Sequence, residues 1–330
     1  MKTNVTRRGL LAGTAAAAAT AASGSVAPAI AAPPPAGKQV PGVYRHKVGD
    51  FEITVVTDGV RVWELPASFV QNAKKEEVSA ALQANFFPPG ELVTPFNPIV
   101  VNTGSKLVLI DTGLGSGAFA QSKGAFGQLA TNLTAAGIDA KAIDAVIITH
   151  CHPDHINGLV GGDGKPAFPN AEVFVPSPEV KYWTDDGALS RAPDRLKGNF
   201  SNTRRVFKAL DNKITPYDAD KDVVAGIRSM ATPGHTPGQM SLIVSSGDGK
   251  LFVQADVTNV PFLFARNPGW HVMFDMDGPA AEATRRKVYD MLVAERMPMQ
   301  GFHYVFPSLA HIEKSGNGYR EVPVLWSTTL

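Results

Sequence analysis

The segment ITHCHPDHING, residues 148–158, places three histidines and one aspartate within six positions. His150 and His152 are two residues apart, so an extended backbone points both imidazoles the same way. Asp154 and His155 come next, after a proline that stiffens the turn. The spacing predicts a loop that feeds two neighbouring metal ions. The first pair would serve one ion and the second pair the other.

Each ion needs further ligands from distant parts of the chain. Three candidates stand at predicted strand ends or in glycine-bounded loops: His235 in PGHTPG, Asp256 in FVQAD and His303 in GFH. The two carboxylate oxygens of Asp256 could bridge the ions. A set of nitrogen and oxygen ligands suits zinc, although manganese, cobalt or iron could fill it. The sequence therefore predicts two divalent cations, with zinc as the leading metal.

Short apolar strands that end in glycine turns would position these ligands. Strands predicted over 51–59, 97–104 and 106–113 are rich in β-branched residues, and the last two are close enough to form a hairpin. A helix is predicted over 124–138, and a buried strand over 143–150 runs into the histidine loop.

The second half of the chain repeats this alternation. Its predicted elements are, in order, a strand leading to His235, a hairpin over 240–256, a helix over 278–297 and a core strand over 299–307 that delivers His303. Strands alternating with helices in two similar halves predict a layered α/β sandwich, with no second domain.

Charge and cysteine content restrict the function. Lysine plus arginine number 31 and aspartate plus glutamate 30, so no overall field would attract nucleic acid. The single cysteine, Cys151, cannot form an intrachain disulfide. In an extended loop its side chain points away from the flanking histidines, so we expect it to pack rather than to react.

The N-terminal residues are of different composition. Residues 1–32 are predicted to be a twin-arginine export signal, because Arg7 and Arg8 precede an alanine-rich run with small residues for cleavage. That run is too weakly apolar for an uncleaved membrane anchor. Residues 33–50 form a predicted Pro/Gly-rich linker and 51–330 the folded domain. The mature protein is expected to be periplasmic or secreted, without stable membrane insertion.

The segment THCHPDHINGL resembles the HxHxDH motif of the metallo-β-lactamase superfamily, and the later candidate ligands come in that family's order. The resemblance implies an α/β fold, a metallo-β-lactamase-like αβ/βα four-layer sandwich. It implies one ion held by His150, His152 and His235, a second held by Asp154, His155 and His303, and Asp256 shared between them. VNTGSKLVLIDTG resembles the family's strand pair, whose aspartate, here Asp111, supports the site. His46, His271 and His311 match no ligand position.

Within the superfamily, the chain is most similar to exported dinuclear hydrolases that include methyl parathion hydrolase and related lactonases. The similarity runs from about Gly49 to GNGYREVPV. It implies an aromatic substrate pocket formed by Phe119, Trp183 and Phe200. The loop-rich stretch 259–278 is predicted to be a lid or a dimer surface, which leaves a homodimer open.

Two such ions would share a bridging hydroxide that attacks a hydrophobic lactone, aryl ester or phosphotriester. Asp154 and Asp256 are the predicted catalytic carboxylates, the first orienting the hydroxide and the second holding both ions. No separate general acid is evident, so good leaving groups are favoured.

Several other activities remain open on the same fold. β-Lactamases generally lack the bridging carboxylate, and a glyoxalase II-like thioesterase would act on a cytosolic substrate. A persulfide dioxygenase would leave much of the second metal site unused, and a nuclease would need a basic surface. The non-catalytic alternative is an exported metal-binding protein, which the complete ligand set argues against.

Overall fold

The computed structural model describes residues 36, 37 and 39–330, and the predicted export signal over residues 1–32 lies outside them. The strands of the described residues are β1 Val43–Val48, β2 Phe51–Val56, β3 Gly59–Glu64, β4 Glu91–Phe96, β5 Ile99–Asn102, β6 Leu107–Ile110, β7 Ala145–Ile147, β8 Glu172–Pro176, β9 Thr215–Tyr217, β10 Asp222–Val224, β11 Ile227–Ala231, β12 Met240–Ser246, β13 Gly249–Val253, β14 Met299–Gln300, β15 Leu309–Ser315 and β16 Gly318–Pro323. The α-helices are α1 Lys75–Gln83, α2 Gly115–Gln121, α3 Leu129–Ala135, α4 Pro153–Ile156, α5 Ser177–Thr184, α6 Asp186–Arg191, α7 Asp194–Ala209, α8 Pro261–Phe264 and α9 Gly278–Glu295, with 3₁₀ turns at Ala140–Ala142 and Asn157–Leu159.

The strands form two seven-stranded sheets and one two-stranded ribbon. The first sheet has the order β1-β2-β5-β6-β7-β8-β9, and β6 to β9 run parallel to one another. The second has the order β10-β11-β12-β13-β14-β15-β16 and is antiparallel except between β13 and β14. The ribbon pairs β3 with β4.

Side chains alternate between two buried faces along the first sheet, as the period of two for a β-strand requires. Ile53 and Val55 of β2 contribute to the core between the two sheets, whereas Val56 packs in the core beneath the helices. In β7, Ile147 faces the inter-sheet core and Val146 the helices. With helices outside both sheets, the four layers are those of the predicted αβ/βα sandwich, and the fold class is confirmed.

Helix α9 covers the outer face of the second sheet. Its N-terminus is capped by the Asp277 side chain, which accepts from the Ala280 backbone N–H at 3.0 Å, and it ends where Arg296 adopts a left-handed conformation. Val288, Tyr289 and Leu292 pack against the sheet. Over residues 36, 37 and 39–330, no helix is long and apolar enough to cross a bilayer.

Three predicted elements differ from the structure. The predicted core strand over 299–307 is limited to β14, because Asn97 donates from Nδ2 to two carbonyl oxygens of the next segment and holds it as a loop. The helix predicted over 124–138 begins only at Leu129, since Gly127 has a left-handed φ of +80°. Strand β1 begins within the stretch predicted as a linker.

Candidate metal centre

The histidine loop follows directly from the end of β7. His152 is the N-cap of α4, Pro153 begins that helix, and Asp154 and His155 lie in its single turn. His150 Nε2 and His152 Nδ1 are 3.2 Å apart, so these two imidazoles converge as the alternation of an extended loop predicts. The side chain between them, Cys151, is fully buried in the core beneath the helices.

The three distant candidates all reach this loop. His235 Nε2 lies 2.9 Å from His152 Nδ1, and His303 Nε2 lies 3.4 Å from an oxygen of Asp154. Asp256 stands between them. Its Oδ2 is 3.4 Å from His235 Nε2 and 3.1 Å from His303 Nε2.

Ligand atoms within 4.8 Å of one another define three groups in the described part of the chain. The groups are His150, His152 and His235; Asp154, His155 and His303; and His150, His155 and Asp256. The first two are the ligand sets that the sequence resemblance implies. The third places Asp256 where the two sets meet, with Oδ1 3.3 Å from His155 Nε2.

The chemistry of these atoms fits divalent cations. His155 Nε2 and Asp256 Oδ1 are both buried, and although they lie 3.3 Å apart, neither makes a hydrogen bond of acceptable geometry with any described residue. Such orphaned groups are rare in proteins and destabilise them unless something else binds there. Two imidazole nitrogens 2.9 Å apart likewise need a proton or a cation between them. Neutral imidazole and carboxylate are the ligands that zinc prefers.

Burial and neighbouring charges prepare the ligands differently. Burial lowers the pKa of His150 and of His152 well below the ordinary value, and the surrounding histidines lower it further, so both are neutral. Burial alone would raise the pKa of Asp256, but His303 and His155 hold it well below its usual range. This carboxyl is therefore an anion. Burial lowers the pKa of His155 and of His303, but Asp111 and Asp256 raise these two pKa values above the ordinary one, so both imidazoles would have to release a proton to bind metal.

Two further buried carboxylates, those of Asp111 and Asp275, accept hydrogen bonds from ring nitrogens of the histidines and so fix the orientation of the rings. Asp111, at a left-handed φ of +58° after β6, accepts from His155 Nδ1 at 2.8 Å and from the Thr149 backbone N–H at 2.9 Å. This position matches the supporting role that the sequence resemblance implies. Asp275 accepts from His235 Nδ1 at 2.9 Å. No sequence motif marks Asp275, which lies in the stretch predicted to be a lid or a dimer surface.

A second residue that sequence reasoning missed is Glu179 of α5. Its carboxylate is fully buried and accepts from the backbone N–H groups of Cys151 and Gly238, each at 2.8 Å. It also accepts from Trp183 Nε1 at 2.8 Å. Glu179 thus ties the histidine loop to the loop that carries His235, and no sequence motif marks it.

A cleft of about 230 Å³ opens beside the ligands, and His152, Asp154, Asp256 and His303 form part of its wall. Another wall comes from the β3–β4 ribbon. There, Trp63 donates from Nε1 to Thr94 Oγ1 at 3.1 Å and lies 6.3 Å from the Phe274 ring. Other residues in the lining are Arg61, Phe96, Leu114, Asn199 and Asn259.

The three aromatics predicted as the pocket wall lie elsewhere. Trp183 and Phe200 are fully buried in the core between the first sheet and its helices. The centroid of the Trp183 ring lies 6.2 Å from that of His152. Phe119 is 38% exposed on α2, and none of the three is in the lining of the cleft. The prediction is wrong for Trp183 and Phe200 because α5 and α7 turn these aromatic side chains inward, where they cover the first sheet.

The three remaining histidines are not in the metal-binding groups. His271 lies 3.2 Å from a Glu282 oxygen, His311 is exposed on β15, and burial lowers the pKa of His46 on β1 to about 4.

Comparison with known proteins identifies the family. A sequence model of the metallo-beta-lactamase superfamily matches residues 94–294, more than half of the chain. The chain therefore belongs to the metallo-β-lactamase superfamily, as the histidine motif indicated.

Particular relatives are lactonases and hydrolases. An N-acyl homoserine lactonase of Bacillus sp. is 28% identical over 198 residues, which cover 53% of this chain and 69% of that protein. The N-acyl homoserine lactonase of Bacillus thuringiensis is 29% identical over 185 residues, covering 52% of this chain and 64% of that protein. The chain thus matches only 64% to 69% of the length of these relatives.

Two solved structures are similar over nearly their whole length. The dizinc quorum-quenching lactonase AidC, in complex with a product N-hexanoyl-L-homoserine, has a TM-score of 0.79 and 29% identity over 87% of this chain and 99% of its own. The hydrolase AbOPH of the beta lactamase superfamily has a TM-score of 0.80 and 26% identity over 88% of this chain and 100% of its own. Together with the ligand groups, these similarities support a metal-dependent hydrolase with divalent metal ions.

Proposed function

We propose that this protein is a dinuclear zinc hydrolase that opens lactone rings, including those of N-acyl homoserine lactones. The observation that carries the proposal is the convergence of the two ligand groups on Asp256 at the floor of an open cleft. The resemblance to a dizinc lactonase over almost its entire length supports the same reaction.

Two divalent ions bound by these residues would lower the pKa of water toward neutrality and polarise the scissile carbonyl group. His150, His152 and His235 would hold one ion, Asp154, His155 and His303 the other, and Asp256 would contact both. Asp154 is the most accessible carboxylate of the set, with 21% of its side chain exposed. It faces the cleft, where it would accept a hydrogen bond from the attacking water and orient it.

The leaving group must depart with little help from the protein. Among the described residues, the one ionisable side chain in the lining of the cleft besides the proposed metal ligands is Arg61. Arginine stays protonated at physiological pH and is a poor proton donor. Lactones suit such a site, because opening the ring relieves ring strain, and the alkoxide that is left stays attached to the product and takes its proton from water.

Aryl esters and phosphotriesters are the second candidate class. The aromatic wall formed by Trp63, Phe96 and Phe274 is the feature that favours them, since it could stack on an aryl leaving group. A phenolate also needs no general acid.

The test is a substrate panel run with metal analysis on the purified protein without residues 1–32. The panel contains N-hexanoyl homoserine lactone, γ-decalactone, p-nitrophenyl acetate, methyl paraoxon, nitrocefin and S-lactoylglutathione. We expect the highest kcat/KM on a lactone, loss of activity with a chelator and recovery with zinc, manganese or cobalt. Preferred turnover of nitrocefin or the thioester would replace the proposal with a β-lactamase or a thioesterase. Zinc binding without turnover of any substrate would favour a metal-binding protein.

We also propose export through the twin-arginine route. The support is the Arg7–Arg8 pair ahead of a small-residue run. The full chain and a variant with both arginines changed to lysine should be expressed side by side, with zinc hydrolase activity measured in periplasmic and cytoplasmic fractions. Activity in the periplasm that disappears in the double variant is the expected result. Equal distribution of both proteins would contradict export.

A further inference from the structure

One polar side chain in the cleft has no role within the protein. Asn259 lies three residues after Asp256, in the loop between β13 and α8, and is 4% exposed. It lines the same cleft as Asp154 and His152. Its Oδ1 is buried and has no hydrogen-bond partner among the described residues.

An unpaired buried amide oxygen destabilises the ligand-free fold, so its presence needs an explanation. Asn97 Oδ1 is also buried without a partner among the described residues, but Asn97 is not in the lining of the cleft, and its Nδ2 donates to two backbone carbonyl oxygens of the His303 loop. Asn259 differs because it lines the cleft. A polar group that faces a cleft and has no partner of its own is suited to bind a ligand.

None of the other described residues of the cleft donates a hydrogen bond to Asn259 Oδ1. The carboxylates of Asp154 and Asp256 belong to the proposed metal site, and the indole N–H of Trp63 is already donated to Thr94. Asn259 lines the same cleft as Asp154 and Asp256, so its Oδ1 is a neutral acceptor that an N–H donor of a bound substrate would satisfy.

We propose that Asn259 is a specificity-determining residue whose Oδ1 accepts a hydrogen bond from an amide N–H adjacent to the scissile carbonyl. This inference rests on the proposed lactone hydrolysis. The substrate would place the first carbons of its acyl arm against Trp63 and Phe274, which line the same cleft. At about 230 Å³ the cleft is smaller than the roughly 300–1,000 Å³ typical of small-molecule pockets. It therefore encloses the ring and the amide rather than a long arm.

The test compares two lactones that differ in one group. α-Hexanoylamino-γ-butyrolactone carries the N–H, and α-hexanoyloxy-γ-butyrolactone has an oxygen in its place. Ring opening is followed chromatographically for the wild type, Asn259→Leu and a control, Asn267→Leu. Asn267 lies in the same segment, but its side chain donates to the Leu263 carbonyl oxygen, and it is not in the lining of the cleft.

We expect the ratio of kcat/KM for the amide over the ester to fall about threefold to tenfold in Asn259→Leu, the effect of one neutral hydrogen bond. The ratio should stay at the wild-type value in Asn267→Leu. Asn259→Leu should also unfold at the same or a higher temperature than the wild type, because it removes an unpaired buried acceptor. An unfolding temperature at or above that of the wild type would rule out misfolding as the cause of the changed ratio. A folded Asn259→Leu variant with an unchanged ratio would overturn the inference while leaving lactone hydrolysis intact.

A second measurement separates the two proposals if the wild type opens neither lactone. Calorimetric titration with N-hexanoyl-homoserine, the ring-opened amide, reports binding without turnover. Weaker binding to Asn259→Leu than to the wild type, by the same threefold to tenfold, would support the role of Asn259 although the proposed reaction had failed. Equal binding to both proteins would overturn it.

Discussion

Replacing Asp275 by asparagine tests whether this buried carboxylate controls zinc binding through His235. Asp275 Oδ1 accepts from His235 Nδ1 at 2.9 Å, and Oδ2 accepts from the Val272 backbone N–H at 3.2 Å. Oδ2 also lies 3.5 Å from Arg285 Nη2. Asparagine keeps the size of the side chain but removes its charge and turns one acceptor into a donor.

The magnitude follows from these contacts. In either orientation of the new amide, its NH₂ group meets an N–H of His235 or of Val272, so one buried donor is left unpaired at a cost of about 1–3 kcal/mol. Removing one partner of a buried ion pair costs roughly 3–5 kcal/mol. The Arg285 guanidinium retains hydrogen bonds to three backbone carbonyl oxygens, which should limit that loss. We expect a decrease of about 2–4 kcal/mol in the free energy of unfolding and a zinc affinity lower by roughly 10–100-fold, as for other carboxylates behind a metal-binding histidine.

The assay is a zinc titration in competition with a chromophoric chelator, combined with urea denaturation of the metal-free protein. The matched control is Asp277→Asn. Asp277 lies two residues from Asp275, is exposed and caps α9. The Asp277→Asn protein should therefore bind zinc as tightly as the wild type. A folded Asp275→Asn protein that binds zinc within a factor of two of the wild type would refute the reasoning.

Three further predictions concern the ligands, the loop and a buried carboxyl. His152→Ala should bind one ion fewer per chain by elemental analysis. Its kcat/KM should fall by more than roughly 100-fold, the upper end of the loss seen when a residue behind a metal ligand is changed. Gly158→Ala should lose about 1–3 kcal/mol of stability in denaturant, because its Cβ would overlap the Thr112 carbonyl oxygen, whereas Gly198→Ala, with open space around it, should lose none. Burial raises the pKa of Asp58 to about 7, despite backbone hydrogen bonds that lower it. The protonated carboxyl therefore stabilises the folded state fully below the unfolded pKa of about 3.9, and this contribution to the free energy of unfolding is lost as pH rises through 7. Relative to Asp58→Asn, the metal-free wild type should lose up to roughly 4 kcal/mol between pH 4 and pH 8 in urea titrations, and parallel pH profiles of the two proteins would contradict this.

The ligand loop could be predicted from sequence because its signal is local. His150 and His152 sit two residues apart after a buried strand, and strand geometry fixes where their side chains point. The later ligands were found at predicted strand ends or in glycine-bounded loops, and their assignment to two ions came from the family resemblance. The structure brings His235 and His303 close to the histidine loop.

Residues that act through tertiary contacts could not be predicted in this way. Asp275 and Glu179 carry no distinguishing spacing, and their partners are 40 and 59 residues away in the chain. The prediction of an aromatic pocket wall from Phe119, Trp183 and Phe200 was wrong for another reason. Leu196, Phe200, Thr203 and Phe207 recur at helical spacing, which is typical of the buried face of an amphipathic helix, and Phe200 accordingly packs in the core and is not in the lining of the cleft. The aromatic wall of the cleft comes instead from Trp63 on the β3–β4 ribbon, whose packing depends on residues far along the chain.

Anomalous diffraction at the zinc edge tests the central claim most directly. Crystals of the protein grown with zinc should give two peaks per chain. One should lie among His150, His152 and His235, the other among Asp154, His155 and His303, and both within reach of Asp256. A single peak, or zinc bound away from these side chains in a folded protein, would contradict the dinuclear centre and the hydrolase proposed from it.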